Sequence, residues 1–224
     1  SHALGGKINN SKIGSCKYSN LTVFSFHPVK MITTAEGGVV TTNDKILANK
    51  LKKFREHGIE REKKNFVFKQ NLETYYEQQV LGYNYRMSDL NASLGISQLD
   101  RLKHFVKKRN FIANYYKNNL KNLPITFQKI NKNNICSYHL VIIRVRKNLR
   151  NKLFNHLRNK NIKVNVHYIP VFFHPYYYKK KYLINKSSIN YYETAISLPA
   201  FFDLKLNDLR RIIQVLKFFF KVND

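Results

Sequence analysis

The alternation of apolar and polar positions predicts two short strands near the start of the chain, joined by a tight turn. Residues 21–26 are an apolar run that ends just before Pro28, and proline cannot donate to a strand ladder. Residues 38–42 are rich in β-branched side chains, as is typical of a second strand. Lys30 lies between the two runs, so the pattern predicts one lysine held in a rigid turn between two buried strands.

Helical periodicity dominates much of the remaining chain. A helix is predicted from a cap at residues 43–44 to residue 57, where Gly58 closes it. A second apolar face begins after the cap residue Ser88 and continues to residue 120, which is long enough to predict a break near residues 95–99. The other predicted elements are helices at 148–161, 187–196 and 207–220, and strands at 123–128, 138–145 and 164–168.

These elements predict two parts with different architectures. Residues 59–80 carry mixed charges and aromatic side chains without periodicity, and we interpret them as a long excursion. The composition shifts near residue 120, after which strands and helices alternate as in a small α+β domain. The chain is therefore predicted to divide into residues 1–119, which include the long helix, and residues 120–224.

Composition places the chain among globular proteins. It has 224 residues, of which 43% are hydrophobic, and this is too apolar for a disordered chain. It contains no apolar run of about 18 residues or more, so no transmembrane helix is predicted. Cys16 and Cys136 form neither a disulfide framework nor a metal-ligand spacing, which predicts a reducing, cytoplasmic environment and no metal site.

The formal net charge of +27 is unusually high. A charge of this size is typical of nucleic-acid binding, which makes a basic RNA-binding module one hypothesis. The alternative is a compositional bias, because Lys, Asn, Ile, Tyr and Phe are abundant, Trp is absent and the lysines are spread along the chain. We favour the compositional bias. In either case the positive field attracts anionic ligands such as nucleotides.

Lys30 is the first candidate for chemistry. Partial desolvation of an amine favours its neutral form, and the neutral form attacks carbonyl groups. The alternative is a solvated lysine at a strand end, which is the commoner role for a lysine in such a position. Position and composition alone leave both interpretations open.

Three segments resemble one enzyme family. They are FSFHPVKMITTAEGGVVTTND at residues 24–44, LGYNYRMSD at residues 81–89 and, more loosely, HYIP at residues 167–170. Together they resemble the DegT/DnrJ/StrS-type nucleotide-sugar aminotransferases, which are fold-type I enzymes that use pyridoxal 5′-phosphate. The resemblance implies an α/β fold, with the C-terminal part of a large parallel-sheet domain followed by a small α+β domain.

The resemblance also implies four residues around the cofactor. Lys30 matches the lysine that forms a Schiff base with pyridoxal 5′-phosphate and then moves a proton during amino transfer. Ser25 matches a serine that binds the cofactor phosphate, and His2 matches a Gln or His beside the phenolic oxygen of the pyridine ring. Asn84 matches an asparagine that reaches across a homodimer to the partner's cofactor phosphate. The alternatives are that Ser25 is a strand serine with a local hydrogen bond, that His2 is a solvated terminal histidine and that Asn84 is a turn asparagine.

The implied substrates are a UDP-linked 4-keto-6-deoxy sugar as acceptor and L-glutamate as donor. Arg86 offers a bidentate fork for a substrate phosphate, and His167 and Tyr168 match a loop on the substrate side. The alternatives are a solvated arginine, a surface histidine and a core tyrosine. Family members that are dehydratases carry histidine where Lys30 stands, so the lysine favours transamination. A transaminase for a 3-keto sugar is the closest alternative.

The start of the chain differs from the start of the family's large domain. In the family, an aspartate that binds the pyridinium nitrogen lies three residues before the position of His2, and here it would precede Ser1. The resemblance therefore implies a fragment. We expect such a fragment to be inactive, because the missing carboxylate keeps the cofactor ring protonated.

Overall fold

The computed structural model describes residues 2–68, 70, 72–178 and 184–223. The chain divides into two compact units, Ser1–Leu102 and Lys103–Asp224. This boundary lies earlier than the predicted one between residues 119 and 120. The reason is that the helix Leu102–Asn119 buries its apolar side chains in the core of the second unit.

The first unit is built from short antiparallel hairpins and α-helices. Its strands pair as β1 with β2, β3 with β4 and β5 with β6. A 3₁₀ turn, Lys63–Asn65, lies between β5 and β6. In chain order the elements are β1 (Lys7–Ile8), β2 (Ser11–Lys12), β3 (Thr22–Ser25), β4 (Gly38–Thr41), α1 (Lys45–Arg55), β5 (Ile59–Glu60), β6 (Glu77–Gln78) and α2 (Asp89–Asp100).

Strands β3 and β4 are the two strands predicted around Lys30. They pair with each other in antiparallel fashion, whereas the resemblance implies a parallel sheet for this domain. A parallel pair needs a crossover connection, usually a helix, and residues 26–37 return directly without one. Gly38 allows the close pairing, because a Cβ there would lie 2.7 Å from the carbonyl oxygen of Phe24.

Only one face of the β3–β4 hairpin is buried. Phe24 is 3% exposed, whereas Val23, Val39 and Val40 are exposed on the other face. Successive side chains of a strand point to opposite faces, so packing of one face leaves the other open. The prediction of two buried strands is therefore wrong for the outer face of this hairpin.

Helix α1 begins and ends close to the predicted residues. The carboxylate of Asp44 accepts two hydrogen bonds from backbone N–H groups of the first turn, at 2.7 and 3.1 Å. The helix stops before His57 and Gly58, which both have positive φ. A Cβ at Gly58 would overlap the carbonyl oxygen of Val80, so glycine is required there. None of the side chains of α1 is buried, so its predicted apolar face is not a core face of this unit.

Two buried carboxylates order the segment between β5 and β6, which the sequence predicts only as an irregular excursion. Glu60 accepts hydrogen bonds from the backbone N–H groups of Arg61 and Glu62, both at 3.0 Å, and pairs with Lys53 at 2.9 Å. Glu77 accepts two backbone N–H groups at 2.7 and 2.8 Å. The backbone hydrogen bond from Glu62, together with Lys53, lowers the pKa of Glu60 to about 2.

The predicted long helix is broken, but later than expected. Helix α2 ends at Asp100 and the next helix begins at Leu102, with Arg101 between them. Gly95 stays inside α2, where a Cβ would lie 2.7 Å from Cγ2 of Thr34. Gly95 is therefore a point of close packing and not the predicted break.

The second unit contains an antiparallel sheet with the strand order β7–β8–β9. The predicted helices at 148–161 and 207–220 are present as α4 and α7. A 3₁₀ turn, Val171–Phe173, precedes α5. In chain order the elements are α3 (Leu102–Asn119), β7 (Thr126–Phe127), β8 (Val141–Arg144), α4 (Lys147–Asn159), α5 (Pro175–Tyr178), α6 (Lys186–Thr194), β9 (Ala195–Leu198) and α7 (Leu206–Asn223).

The core of the second unit joins this sheet to its helices. Helix α4 buries Leu149, Leu153 and Leu157, which recur at helical spacing. Helix α7 contributes a longer apolar stripe: Leu209, Ile212, Ile213, Leu216, Phe219 and Phe220. In the described part of the chain, none of the helices combines the length and the apolar character that a membrane span needs.

Strand β9 is an element that the sequence analysis missed. Its four residues are all buried, and the predicted helix at 187–196 runs into them because α6 ends only at Thr194. Conversely, the strand predicted at 164–168 is reduced to one bridge, between Asn165 and Ser197. The side chain of Asn165 accepts a 2.8 Å hydrogen bond from the backbone N–H of Val166, and this local turn competes with continued pairing.

Candidate active site

Hydrogen bonds fix the turn that carries Lys30 at both of its ends. The backbone N–H of Phe26 donates to the carbonyl of Gly37 at 2.8 Å, and the N–H of Thr34 donates to the carbonyl of Phe26 at 3.0 Å. The N–H of Lys30 itself donates to the carbonyl of His27 at 2.9 Å. The two residues after the lysine are buried. The backbone that presents the half-buried Lys30 side chain is therefore held in one conformation.

The structure brings Lys30 and His2 together. Lys30 Nζ lies 2.9 Å from His2 Nε2, although the two residues are 28 positions apart in the sequence. An ammonium group can only donate, whereas an imidazole nitrogen donates or accepts according to its protonation. The contact therefore joins a potential nucleophile to a group that can exchange a proton with it.

Ser25 is the last residue of β3, where the strand enters the Lys30 turn. Its Oγ accepts a hydrogen bond of 3.5 Å from the backbone N–H of His27. That distance is at the long limit for a hydrogen bond, so the hydroxyl is only weakly engaged. Its proton stays available for a stronger acceptor such as a phosphate oxygen.

These side chains fit pyridoxal 5′-phosphate. The Lys30 amine is complementary to the cofactor aldehyde, and the weakly bonded Ser25 hydroxyl is complementary to its phosphate. The ring nitrogen of His2, which lies 2.9 Å from Lys30 Nζ, is complementary to the phenolic oxygen. Ser25 and Lys30 lie on the same rigid turn, so their separation is fixed by the backbone. The individual roles of the three residues stay predictions.

Thr34 supports this turn and is not singled out by the sequence analysis. It is 1% exposed, and its hydroxyl donates to the carbonyl of Glu36 at 2.8 Å. Gly37 and Gly95 both pack against it, so that a Cβ at either position would overlap the threonine side chain. In the sequence, this close packing is indicated by the pair Gly37–Gly38, which follows Thr34.

Asn84 and Arg86 lie on the surface of the first unit. The backbone of Asn84 bridges that of Glu56, and its exposed side chain makes no hydrogen bond within the described residues. Arg86 is also exposed, and its charge adds to the stronger effect of Arg55 in lowering the pKa of Glu56. Neither side chain forms a hydrogen bond with Lys30 in the described part of the chain.

His167 and Tyr168 belong to the second unit. His167 Nδ1 lies 2.8 Å from Oγ of Ser197, and the rings of His167 and Tyr168 meet edge to face with centroids 4.7 Å apart. Tyr168 is 61% exposed, so it is not a core tyrosine. A cavity of about 560 Å³ opens beside it, lined by Tyr168, Ile169, Pro170, Val171, Phe172, Asn185, Ser187, Ser188 and Tyr191.

The sequence of the chain is similar to those of sugar aminotransferases. The family model described as DegT/DnrJ/EryC1/StrS aminotransferase family matches residues 1–217. The UDP-4-amino-4,6-dideoxy-N-acetyl-beta-L-altrosamine transaminase of Campylobacter jejuni subsp. jejuni serotype O:23/36 (strain 81-176) is 37% identical over 215 residues, which are 94% of this chain and 54% of the relative. The chain thus spans about half the length of this relative.

The structure of the chain is similar to those of the same class of enzymes. Helicobacter pylori PseC, described as an aminotransferase involved in the biosynthesis of pseudoaminic acid, matches with a TM-score of 0.87 and 31% identity over 99% of this chain and 58% of PseC. The PLP form of the putative sugar aminotransferase Spr1654 from Streptococcus pneumoniae matches with a TM-score of 0.86 and 27% identity over 98% of this chain and 56% of Spr1654. These matches confirm the predicted α/β fold of fold-type I transferases.

Proposed function

Because the chain belongs to the DegT/DnrJ/EryC1/StrS aminotransferase family, we propose that the whole protein is a pyridoxal 5′-phosphate-dependent nucleotide-sugar transaminase. The observation that carries the proposal is the 2.9 Å contact between Lys30 Nζ and His2 Nε2 at a rigid turn. Amino transfer needs one amine that attacks an aldehyde and later moves a proton, and this contact supplies an amine with a proton-exchanging neighbour.

Lys30, His2 and Ser25 each have a separate task in this proposal. When bound, pyridoxal 5′-phosphate supplies the electron sink that makes the Cα proton of the amino donor acidic. Lys30 Nζ would hold the cofactor and, once free, would accept the proton from Cα of the donor and return it. His2 Nε2 would orient the cofactor ring and the lysine amine, and Ser25 Oγ would donate to the phosphate.

The proposed substrates are a UDP-linked 4-keto-6-deoxy sugar and L-glutamate, in a pathway of the pseudaminic-acid type. The names of the Campylobacter jejuni transaminase and of PseC support this acceptor. The exposed ring of Tyr168 suits a nucleotide base, with His167 packed against it. The mainly apolar cavity beside it offers Asn185, Ser187 and Ser188 for hydrogen bonds. Arg86 offers two parallel donors for a phosphate.

The two alternative functions are a transaminase for a 3-keto sugar and an RNA-binding module. A transaminase for a 3-keto sugar fits the same turn and the same family, so the acceptor must be settled by experiment. An RNA-binding module is supported by the net charge of +27 alone.

We also propose that the active unit is a homodimer with two shared sites. Asn84 has an exposed amide without a hydrogen bond in the described residues, on a backbone that is fixed by its bridge to Glu56. Such an amide is free to donate to the phosphate of the partner's cofactor. A two-fold interface repeats this contact, so each site takes its lysine from one protomer and its asparagine from the other.

The proposed reaction is tested by assaying amino transfer with the whole protein. The protein is incubated with pyridoxal 5′-phosphate, L-glutamate and either the UDP-linked 4-keto-6-deoxy sugar or a UDP-linked 3-keto sugar, and the products are identified by NMR. We expect the 4-amino sugar and 2-oxoglutarate in equal amounts, and no product from the variant Lys30→Arg, which keeps the charge but is a far poorer nucleophile.

Two outcomes of this assay would count against different parts of the proposal. Product from the 3-keto sugar alone would overturn the acceptor and leave the reaction class intact. A folded whole protein that aminates neither sugar would overturn the proposed function.

A further inference from the structure

Ser197 fastens the segment before His167 to the edge of the sheet. It is the third residue of β9 and is 6% exposed. Its backbone N–H donates to the carbonyl of Asn165 at 2.8 Å, and the N–H of Asn165 donates back to its carbonyl at 3.3 Å. These two bonds hold the start of the His167–Tyr168 loop at one defined position along β9.

The side chain of Ser197 then reaches the loop itself. Its Oγ lies 2.8 Å from Nδ1 of His167. A hydroxyl can donate or accept, so Ser197 pairs with Nδ1 in either tautomer of the imidazole, and the bond restrains the plane and position of the ring. The ring of Tyr168 packs edge to face on that imidazole, at an interplanar angle of 88°.

A hydroxyl in β9 has a cost that this contact explains. The other residues of the strand are Ala195, Ile196 and Leu198, and all of them are buried. A buried hydroxyl is unfavourable unless it is hydrogen-bonded, and an apolar residue would suit such a strand better. The hydrogen bond to His167 satisfies the Ser197 hydroxyl, so a serine at this position is favourable when the His167–Tyr168 loop lies against β9.

We propose that Ser197 is a positioning residue of the substrate site: it sets the orientation of His167, and through that ring it sets the position of Tyr168, which lines the 560 Å³ cavity. The inference rests on the proposed function, in which this loop receives the nucleotide part of the substrate. Ser197 does not touch the substrate; it acts through His167.

The test compares Ser197→Ala with two matched variants of the whole protein. Ile196→Val removes a methylene from the neighbouring buried position of the same strand and keeps the His167 contact, so it controls for lost stability. Ser197→Thr keeps the hydroxyl. Two quantities are measured: the ¹⁵N chemical shifts of the His167 ring, which report the hydrogen bond at Nδ1, and the Kd for UDP.

We expect Ser197→Ala to shift the His167 Nδ1 resonance, because its hydrogen bond is lost, and to raise the Kd for UDP by about 3- to 10-fold, because the bond that held the His167 ring in place no longer contributes. The KM for the keto sugar should rise by a similar factor with kcat unchanged. Ile196→Val should change none of these, and Ser197→Thr should keep the wild-type His167 shifts.

The proposal is overturned if Ser197→Ala leaves the His167 shifts unchanged, or if it changes the Kd for UDP no more than Ile196→Val does. Neither measurement requires turnover. A protein that transfers no amino group, but whose UDP binding and His167 ring shifts respond to Ser197→Ala, would fail the proposed reaction and still support this inference.

Discussion

A lysine amine and an imidazole nitrogen 2.9 Å apart can share a proton, and Lys30 Nζ and His2 Nε2 have this arrangement. The contact ties a residue at the start of the chain to one in the β3–β4 turn. At the residue scale, this pair and the nearby Ser25 hydroxyl are the groups on which the proposed chemistry depends.

Replacing His2 tests whether it holds the cofactor. His2→Ala should weaken binding of pyridoxal 5′-phosphate by about 3- to 10-fold, because one hydrogen bond to the ring is lost. His2→Gln should bind nearly as well as the wild type, since an amide also donates. The measurement is an absorbance titration with the cofactor. Equal affinities for the wild type and His2→Ala would remove His2 from the site.

Single residues were predictable from the sequence to different degrees. Lys30 and His2 follow from the resemblance, and the structure places them in contact. Thr34 and Ser197 do not, because each matters through a neighbour that is remote in sequence and no local pattern marks it. Side-chain hydrogen bonds between distant segments are visible only after folding.

At the scale of elements, the packing of α2 against the Lys30 turn is the most informative contact. Gly95 lies inside this helix and approaches Thr34 so closely that a Cβ would lie 2.7 Å from Cγ2. Glycine normally weakens a helix by about 1 kcal/mol relative to alanine, so its presence here indicates a steric requirement.

The sign of the stability change in Gly95→Ala therefore distinguishes the two effects. Helix propensity alone predicts stabilisation by about 1 kcal/mol, whereas the contact with Thr34 predicts destabilisation of about 1 to 3 kcal/mol and weaker cofactor loading. Thermal unfolding and the cofactor absorbance band measure both quantities. Ser93→Ala in the same helix is the control, because Ser93 is exposed and its hydroxyl donates to the carbonyl of Leu90 in its own helix. A more stable Gly95→Ala protein with full loading would contradict the packing argument.

The segment between β5 and β6 gives a prediction about pH. Folding lowers the pKa of Glu60 from its ordinary value of 4.5 to about 2, chiefly through the backbone N–H of Glu62. A carboxylate with a lowered pKa contributes stability that is complete above its ordinary value and is lost as the pH falls towards the folded value. The order of this segment should therefore decline between pH 4.5 and 2.

Limited proteolysis and hydrogen exchange over residues 59–80 measure that decline. Glu60→Gln should loosen the segment already at neutral pH, by about 1 to 3 kcal/mol, and should remove the part of the acid pH dependence that Glu60 carries, leaving the part due to Glu77. Glu62→Gln is the matched control, since the side chain of Glu62 is exposed and pairs with the exposed Lys64. Identical pH profiles for wild type and Glu60→Gln would refute the role of Glu60.

Elements with a clear period were predictable, and those without one were not. Helices α1, α4 and α7 and the β3–β4 pair lie close to their predicted positions. Strand β9 was missed because its first residues continue the predicted helix at 187–196, and a short, mainly apolar stretch fits a buried strand or a buried helix equally well. The strand predicted at 164–168 was reduced to one bridge because a side-chain bond of Asn165 turns the backbone.

At the scale of the whole molecule, the two units differ in how much apolar surface they bury. The second unit has a contiguous core from sheet and helices. In the first unit, large apolar residues of β3, β4, α1 and α2 are exposed in the chain by itself: Val23, Val39, Val40, Ile46, Phe54, Leu90, Leu94, Ile96 and Leu99. Sequence periodicity identified these faces correctly as apolar, but it could not show what they contact.

Mixed dimers test the proposed sharing of sites between protomers. Lys30→Ala and Asn84→Ala chains of the whole protein are each expected to have little activity alone. In a mixed dimer both lesions fall in one site and the other site is intact, so mixing should restore up to about a quarter of wild-type activity at equal amounts. If subunit exchange is demonstrated and activity still does not recover, the two residues do not act in trans.

The most direct measurement of the central claim is the location of the covalent bond to the cofactor. The whole protein is loaded with pyridoxal 5′-phosphate, reduced with borohydride and digested, and the modified peptide is identified by mass. We expect a pyridoxyl group on Lys30, and none in the Lys30→Ala protein. Modification of a different lysine, or of none in a folded and saturated protein, would contradict it.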